Sequence, residues 1–423
     1  MQRKTVFGVV AVFLFFFAMF PVVNAQGADK IVIGMPTSLT FLEGKEAAKA
    51  VQMAVDEING QGGVNVGGTK MEFTVEGLDI RDAAPGVPVP EALLGMEKLI
   101  LEKKPTALVV GPFRSEALTA GMDMLAKYKT PMIGTIAMTP KSEEMVTQDP
   151  KYKYIFRTCL NAKYLVGYLA GGMKHLNAQF GFNRVFIMNQ DVAWARATAG
   201  IMKGIFEKMG WEVVGEAVFP IGASDYSSSL TKAKLNNAQV IMPIFDMPQS
   251  GILVKQWRGM RIPAVMAGFV SPVVGSNSWK AFDGKIDGMI NSVFEIGSLP
   301  STKLPAAKAF YDAYKAKYGE EIQAGHGVAP SYVAVYLLKE AIEKAGSLDG
   351  DAIVAALEKI ETDTAIGHVT FSPGHQVVYG EDPAKTALAA LFQWTDKGER
   401  MIVYPESLAE GTIALPAGMK SAK

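Results

Sequence analysis

The chain has 423 residues, with 42 Lys and Arg against 42 Asp and Glu and one cysteine, Cys159. The balanced charge gives no electrostatic footing for nucleic acid or an anionic membrane, and a lone cysteine forbids an internal disulfide. At this length an apolar core suffices for stability, and two domains are favoured over one.

The opening Met1-Gln2-Arg3-Lys4 is followed by an apolar run over 6–23, broken only by Gly8 and Pro21, that leads to Ala25. A basic start, an apolar centre and a small residue make a secretory signal, so 1–25 is expected to be cleaved and the rest exported as a soluble chain. An uncleaved anchor is the other reading, since the run is nearly long enough to cross a bilayer. No cysteine stands at the cut, so a lipoprotein is not expected.

Downstream, a strand is predicted over 31–35, a helix over 45–59 closed by Gln61-Gly62-Gly63, a strand over 71–78 and a helix over 91–103. The run ALVV at 107–110 ends at Gly111-Pro112, an amphipathic helix follows from Ser115 to about 128, and another apolar run begins at Pro131. Short continuous apolar runs flanking a helical period indicate parallel strands buried on both faces. In such sheets ligands settle outside the carboxyl ends of the strands, here 111–115 and 135–139. Ser115 is the expected N-cap, and its helix would offer free amides and a dipole to an anion. A turn-rich segment over 139–151 precedes 154–158, where the chain is expected to pass elsewhere.

The alternation restarts with helices over 164–175, 195–208, 227–236 and 249–260, interleaved with strands over 185–189, 212–219, 240–244 and 264–267. A strand over 289–294, helices over 304–318, 330–345 and 349–359, and late strands over 369–372 and 388–394 complete the pattern. Two successive runs of this kind imply an α/β fold of two lobes with mostly parallel sheets. No Gly-x-Ser-x-Gly elbow or P-loop occurs. The glycines at 60, 62, 63, 67 and 68 follow a helix rather than a strand, and four scattered histidines suggest no zinc cluster. No enzyme, cofactor or metal is therefore expected.

Several segments stand in an order and spacing that resembles a known family. They are Ile33-Gly34-Met35-Pro36 with Gly44, Val55-Asp56-Glu57-Ile58-Asn59, Val109-Val110-Gly111-Pro112 with Ser115, Phe156-Arg157-Thr158, Ser224-Asp225-Tyr226, and Tyr332 with 341–346. The family is the periplasmic solute-binding proteins of ABC importers in the branched-chain amino acid class, which share their type I fold with amide and urea receptors. The resemblance covers 31–404. It implies two Rossmann-like lobes joined by three crossings, near Thr158, Phe294 and Ser372. Lobe one would then comprise 28–158 plus 295–372, lobe two 159–294 plus 373–405, and the tail 406–423. A monomer is expected that closes on an amino acid or related small carboxylate and delivers it to a permease with ATPase subunits, without inserting in the membrane itself. A sensing receptor of the same fold is the alternative.

The resemblance also points to a site. Backbone amides and a hydroxyl from Arg114-Ser115 and Ile136-Ala137-Met138-Thr139 would hold the carboxylate, with Ser115 as the anchoring serine. Met138 stands at the family's usual threonine, so the hydroxyl comes from Thr139 in a shifted loop or is missing. Phe41 and Glu43 fall in the first cleft loop, Trp194 at an aromatic wall, and Asp246 directly after a lobe-two strand. His326 precedes the late lobe-one helix beside Gly327, whose small size would leave room for a larger ligand. Val270 occupies the place of the acid that holds the ammonium in amino-acid-binding relatives. Either Asp246 or Glu43 takes that role, or the ligand carries no ammonium. Each residue also has a plainer reading: Ser115 a cap, Glu43 a solvated acid, Trp194 helix packing, Asp246 a scaffolding salt bridge, His326 a surface residue. Of the 22 methionines, Met138 and Met247 fall at cleft loops.

Overall fold

The apolar runs become strands covered on both faces: Ala107–Val110 and Val240–Phe245 are buried along their whole length, as parallel strands between two helical layers must be. The computed structural model describes residues 1–2, 30–416 and 419–423. Apart from its first two residues, the expected signal segment with its cut after Ala25 lies outside them.

The first half runs β1 (Lys30–Thr37), α1 (Leu42–Gly60), β2 (Val64–Val66), β3 (Thr69–Asp79), α2 (Val89–Lys103), β4 (Ala107–Val110), α3 (Ser115–Tyr128), β5 (Met132–Gly134), α4 (Lys141–Gln148) and β6 (Ile155–Arg157). These strands form a six-stranded sheet in the order β2-β3-β1-β4-β5-β6, parallel except for the β2–β3 hairpin. The chain then lays down α5 (Ala162–Phe180), β7 (Arg184–Gln190), α6 (Ala193–Lys208), β8 (Glu212–Phe219), α7 (Ser227–Leu235), β9 (Val240–Phe245), α8 (Gly251–Gly259), β10 (Val265–Val270), α9 (Ser278–Ala281) and β11 (Ile290–Val293). It returns to the first lobe with α10 (Pro305–Tyr318), α11 (Val328–Ala345), α12 (Gly350–Leu357) and the hairpin β12 (Glu361–Thr364) with β13 (Gly367–Thr370). Finally β14 (Ala390–Trp394) and β15 (Arg400–Tyr404) join the second lobe antiparallel, giving a seven-stranded sheet ordered β15-β14-β11-β10-β9-β7-β8.

Two features depart from the sequence expectation. The turn-rich stretch after Thr139 contains α4, whose first turn carries Glu143 and Glu144 toward the positive end of the helix dipole and whose inner face buries only Ser142 and Val146. The β2–β3 hairpin turns on Gly67 and Gly68, both at positive φ (57° and 101°), as tight hairpins require. Near the expected last crossing, Gln376 bridges Arg157 of β6 and the Val377 amide donates to the Arg157 carbonyl at 2.9 Å.

The carboxyl ends of β1, β4 and β5 face those of β7, β9, β10 and β11. At the end of β4 the backbone turns sharply, with Val110 at φ 69° and Gly111 at φ 73°. A β-branched residue held there costs on the order of 1–3 kcal/mol. The Thr135 amide fixes it by donating to the Val110 carbonyl at 3.0 Å. This bend swings residues 113–115 toward the opposite lobe.

Candidate functional site

The loop after β1 sets the position of α3. Ser38 Oγ donates to Asp82 Oδ1 at 2.7 Å, and Asp82 Oδ2 accepts the Arg114 amide at 2.7 Å. Arg114, in extended conformation, is thereby the residue that precedes the helix, and Ser115 is its first helical residue. The expected Ser115 cap does not form: its hydroxyl is buried and has no hydrogen-bond partner among the described residues. The amides of Ser115, Glu116 and Ala117 likewise meet no acceptor there, as the first turn of a helix leaves them.

The loop after β5 is arranged in the same sense. The Ile136 carbonyl accepts from His326 Nε2 at 2.5 Å, the Ala137 carbonyl from Arg157 Nη1 at 3.0 Å, and the Met138 carbonyl from the Ala162 amide at 3.0 Å. The amides of Ile136, Ala137 and Met138 donate to nothing among the described residues. The carbonyls of this loop are thus tied back and its amides left open. The Thr139 hydroxyl beside it accepts the Lys141 amide at 3.1 Å at the start of α4.

Between the lobes lies a cavity walled by Glu43, Phe113, Ile136, Met138 and His326 on one side and by Trp194, Asp246, Phe269 and Phe294 on the other. Its volume is ≈ 10 Å³, room for about one water. A larger groove of ≈ 640 Å³ between α10, α11 and the β12–β13 hairpin contains none of these residues.

Contacts across the cleft explain the small volume. Asp246 is the hub: Oδ1 accepts from Gln190 Nε2 at 2.8 Å, and Oδ2 accepts from Trp194 Nε1 at 2.6 Å and from Arg114 Nη1 of the other lobe at 3.3 Å. Ser271 donates to Glu43 across the same gap, and Glu116 accepts the Ala193 amide at 3.2 Å. Trp194 meets Phe269 and Phe294 edge-on, each with centroids 6.0 Å apart. Aromatic edges of this kind pack firmly without filling a flat slot.

Two ionisable groups at the wall are displaced from their ordinary behaviour. Burial pushes the Glu43 carboxyl upward, the Ser271 hydrogen bond opposes it, and the neighbouring Asp246 raises it further. For His326, burial works against the charged ring but is outweighed by the Glu295 carboxylate, so its pKa stands above the usual histidine value. Geometry agrees, for Nδ1 lies 3.1 Å from Glu295 Oε1 and Nε2 faces the Ile136 carbonyl. Both nitrogens face oxygen acceptors, an environment that favours the doubly protonated ring. Glu295 also accepts the amides of Leu160 and Gly327, each at 3.0 Å, which ties two crossings to this wall.

Of the residues expected at a site, Glu43, Ile136, Met138, Trp194, Asp246 and His326 come together around the cavity. Glu43 (2 % exposed) and His326 (5 %) are buried, so neither is the surface residue of the plainer reading. Phe41 stands one layer out, 5.7 Å from the Phe113 ring, and Arg114 reaches the cavity through Asp246. Ser115, Ala137 and Thr139 are not on its wall, nor is Met247, whose Sδ accepts from Arg114 at 3.5 Å. Val270 is off it too: its amide and carbonyl pair with the Asn291 side chain at 3.1 and 3.0 Å, and Phe269 takes the wall position. A Cβ at Gly327 would come within 2.8 Å of the Ile136 side chain, at φ 82°. Phe113, Phe269, Phe294 and Glu295 were not anticipated from the sequence. Phe113 directly after Gly111-Pro112 was the legible signal, because it begins the loop at a strand's carboxyl end.

The arrangement of two lobes with facing strand ends is matched at the level of sequence. The pattern of the periplasmic binding protein family extends over residues 31–399. The chain belongs to that family. Its members are substrate-binding proteins of transporters rather than enzymes. This periplasmic binding protein is 29% identical to the Leu/Ile/Val-binding protein BraC3 of Rhizobium johnstonii over 371 residues, 86% of this chain and 91% of the relative. It shares its fold with the branched-chain amino acid transporter substrate-binding protein LivJ of Streptococcus pneumoniae, solved with isoleucine (TM-score 0.73, 23% identity, 89% of this chain and 100% of that one). It also shares it with an ABC transporter solute-binding protein of Rhodopseudomonas palustris, solved with 3,4-dihydroxybenzoic acid (TM-score 0.70, 19% identity, 86% and 93%). Among the described residues no helix is long and apolar enough to cross a membrane.

Proposed function

We propose that the mature chain, exported and freed of residues 1–25, captures an amino acid or related small carboxylate between its lobes and delivers it to an ABC permease. The observation that carries this reading is the set of open donors at two adjacent strand ends, the amides of 115–117 and 136–138 with the unpartnered Ser115 hydroxyl, beside a cavity lined by four aromatic rings. A carboxylate satisfies the donors and an apolar body meets the rings.

The energetics are consistent with capture by closure. Burying a hundred or two Å² of apolar ligand surface contributes about 2.5–5 kcal/mol, and a micromolar site needs about 8 kcal/mol. Charge-assisted hydrogen bonds, about 1.5–3 kcal/mol each, supply the remainder. A cavity of ≈ 10 Å³ admits no organic solute, so the lobes must part for entry. A ligand touching both of them then stabilises the closed arrangement.

A thermal-shift screen of the mature protein against amino acids, aromatic and aliphatic carboxylates, amides and polyamines tests the proposal. A carboxylate at 100 times its Kd should stabilise the fold by about 2.7 kcal/mol. Stabilisation by amides or polyamines alone would overturn it.

A further inference from the structure

Every charged group on the cavity wall already has a partner. Asp246 has both oxygens occupied by Gln190, Trp194 and Arg114, and its charge is offset by that arginine at 3.3 Å. His326 is held by the Glu295 carboxylate at 3.1 Å. Glu43 takes the Ser271 hydroxyl on one oxygen and is nine-tenths or more buried. An ammonium placed at that remaining acid would sit beside the His326 ring, which lines the same cavity and is paired with Glu295.

The uncommitted hydrogen-bonding groups of the two neighbouring loops are donors: the amides of 136–138 and 115–117 and the Ser115 hydroxyl. Donors of this kind suit an anion and offer a cation nothing. The apolar wall is ring-rich. Phe269 and Phe294 lie with centroids 4.1 Å apart and planes inclined by 34°, with Trp194 standing edge-on to both.

We infer that the solute is a carboxylate without an amine, carrying a flat or branched apolar body. The inference rests on the carboxylate reading above and narrows it, because an α-ammonium would be buried on a wall whose only uncommitted acid oxygen belongs to Glu43, beside the His326 ring held by Glu295. Burial also favours the protonated form of Glu43, which makes that side chain a further donor to an anionic or hydroxylated solute.

Matched pairs that differ only by the α-amino group provide the test. Isothermal titration calorimetry of the mature chain compares 3-phenylpropanoate with L-phenylalanine and 4-methylpentanoate with L-leucine. The amine-free member should bind at least about tenfold tighter in each pair that binds, equivalent to about 1.4 kcal/mol. A smaller preference, or tighter binding of the amino acid in either pair, overturns the inference while leaving the carboxylate reading intact. Binding by no member of either pair overturns the carboxylate reading for these bodies and the inference with it.

Discussion

Replacing Asp246 by alanine removes the hub of the inter-lobe contacts. Arg114, 7 % exposed, would keep only the Ala83 carbonyl at 3.4 Å and Met247 Sδ at 3.5 Å as acceptors. Breaking a buried ion pair from one side costs about 3–5 kcal/mol, because the surviving charge stays out of water. That cost falls on the closed arrangement, where Arg114 is enclosed; separated lobes let water reach it. Trp194 Nε1 and Gln190 Nε2 lose their acceptor as well, at about 1 kcal/mol each when water is excluded. A shift of about 3 kcal/mol moves an open-to-closed ratio by roughly 150-fold. Small-angle scattering of the ligand-free protein should therefore give a larger radius of gyration for Asp246→Ala than for wild type. The double variant with Arg114→Ala should recover part of the loss in denaturant stability, since the two side chains act as a pair. An unchanged radius of gyration, or strictly additive stability changes, would refute the assignment of Asp246 as the closing contact.

Three further outcomes are expected. Ser115→Ala should leave the urea midpoint unchanged or slightly raised, as a buried hydroxyl with no partner is lost, yet weaken carboxylate binding by about tenfold; equal effects on both would argue for a purely structural hydroxyl. His326→Leu should cost about 3–5 kcal/mol because Glu295, fully buried, keeps only two backbone amides, and adding Glu295→Gln should restore much of it; no rescue in chemical denaturation would contradict the pairing. The pH dependence follows from Glu46, pushed up from 4.5 to about 7 by burial, which outweighs the lowering effect of hydrogen bonds from the amides of Ala324 and Gln323. The folded state holds the extra proton, so this stabilisation is complete below pH 4.5 and lost as pH rises through about 7, worth about 3 kcal/mol. His326, also raised, adds in the same direction. Denaturation midpoints should fall between pH 5 and pH 8, and less so in Glu46→Gln; an identical slope in the variant would remove Glu46 from the account.

The alternation of strand and helix was legible because parallel strands buried on both faces leave unbroken apolar runs, as in β4 and β9. The same property hid part of the site. A strand buried on both faces carries no inside-outside alternation, so nothing local distinguishes Phe269 from Val270 at the end of β10, where all six residues are buried. Only the pleat and the neighbouring strand decide that Phe269 meets the cavity and that Val270 pairs with Asn291. Ser115 shows a related limit. A serine at the start of an apolar period reads as a cap, but the Asp82 carboxylate, from a distant loop, captures the Arg114 amide and moves the helix start by one residue. The helix α4 escaped notice because it buries two side chains and is otherwise polar. Glu295 could not be read at all, since its role depends on three segments that meet only in the fold.

Hydrogen–deuterium exchange on the mature chain, with and without a stabilising carboxylate from the screen, tests the central claim most directly. Capture between the lobes predicts added protection at the amides of 115–117 and 136–138 in one lobe together with the segments around Trp194 and Asp246 in the other. Protection confined to one lobe, or centred on the groove between α10 and α11, would contradict it.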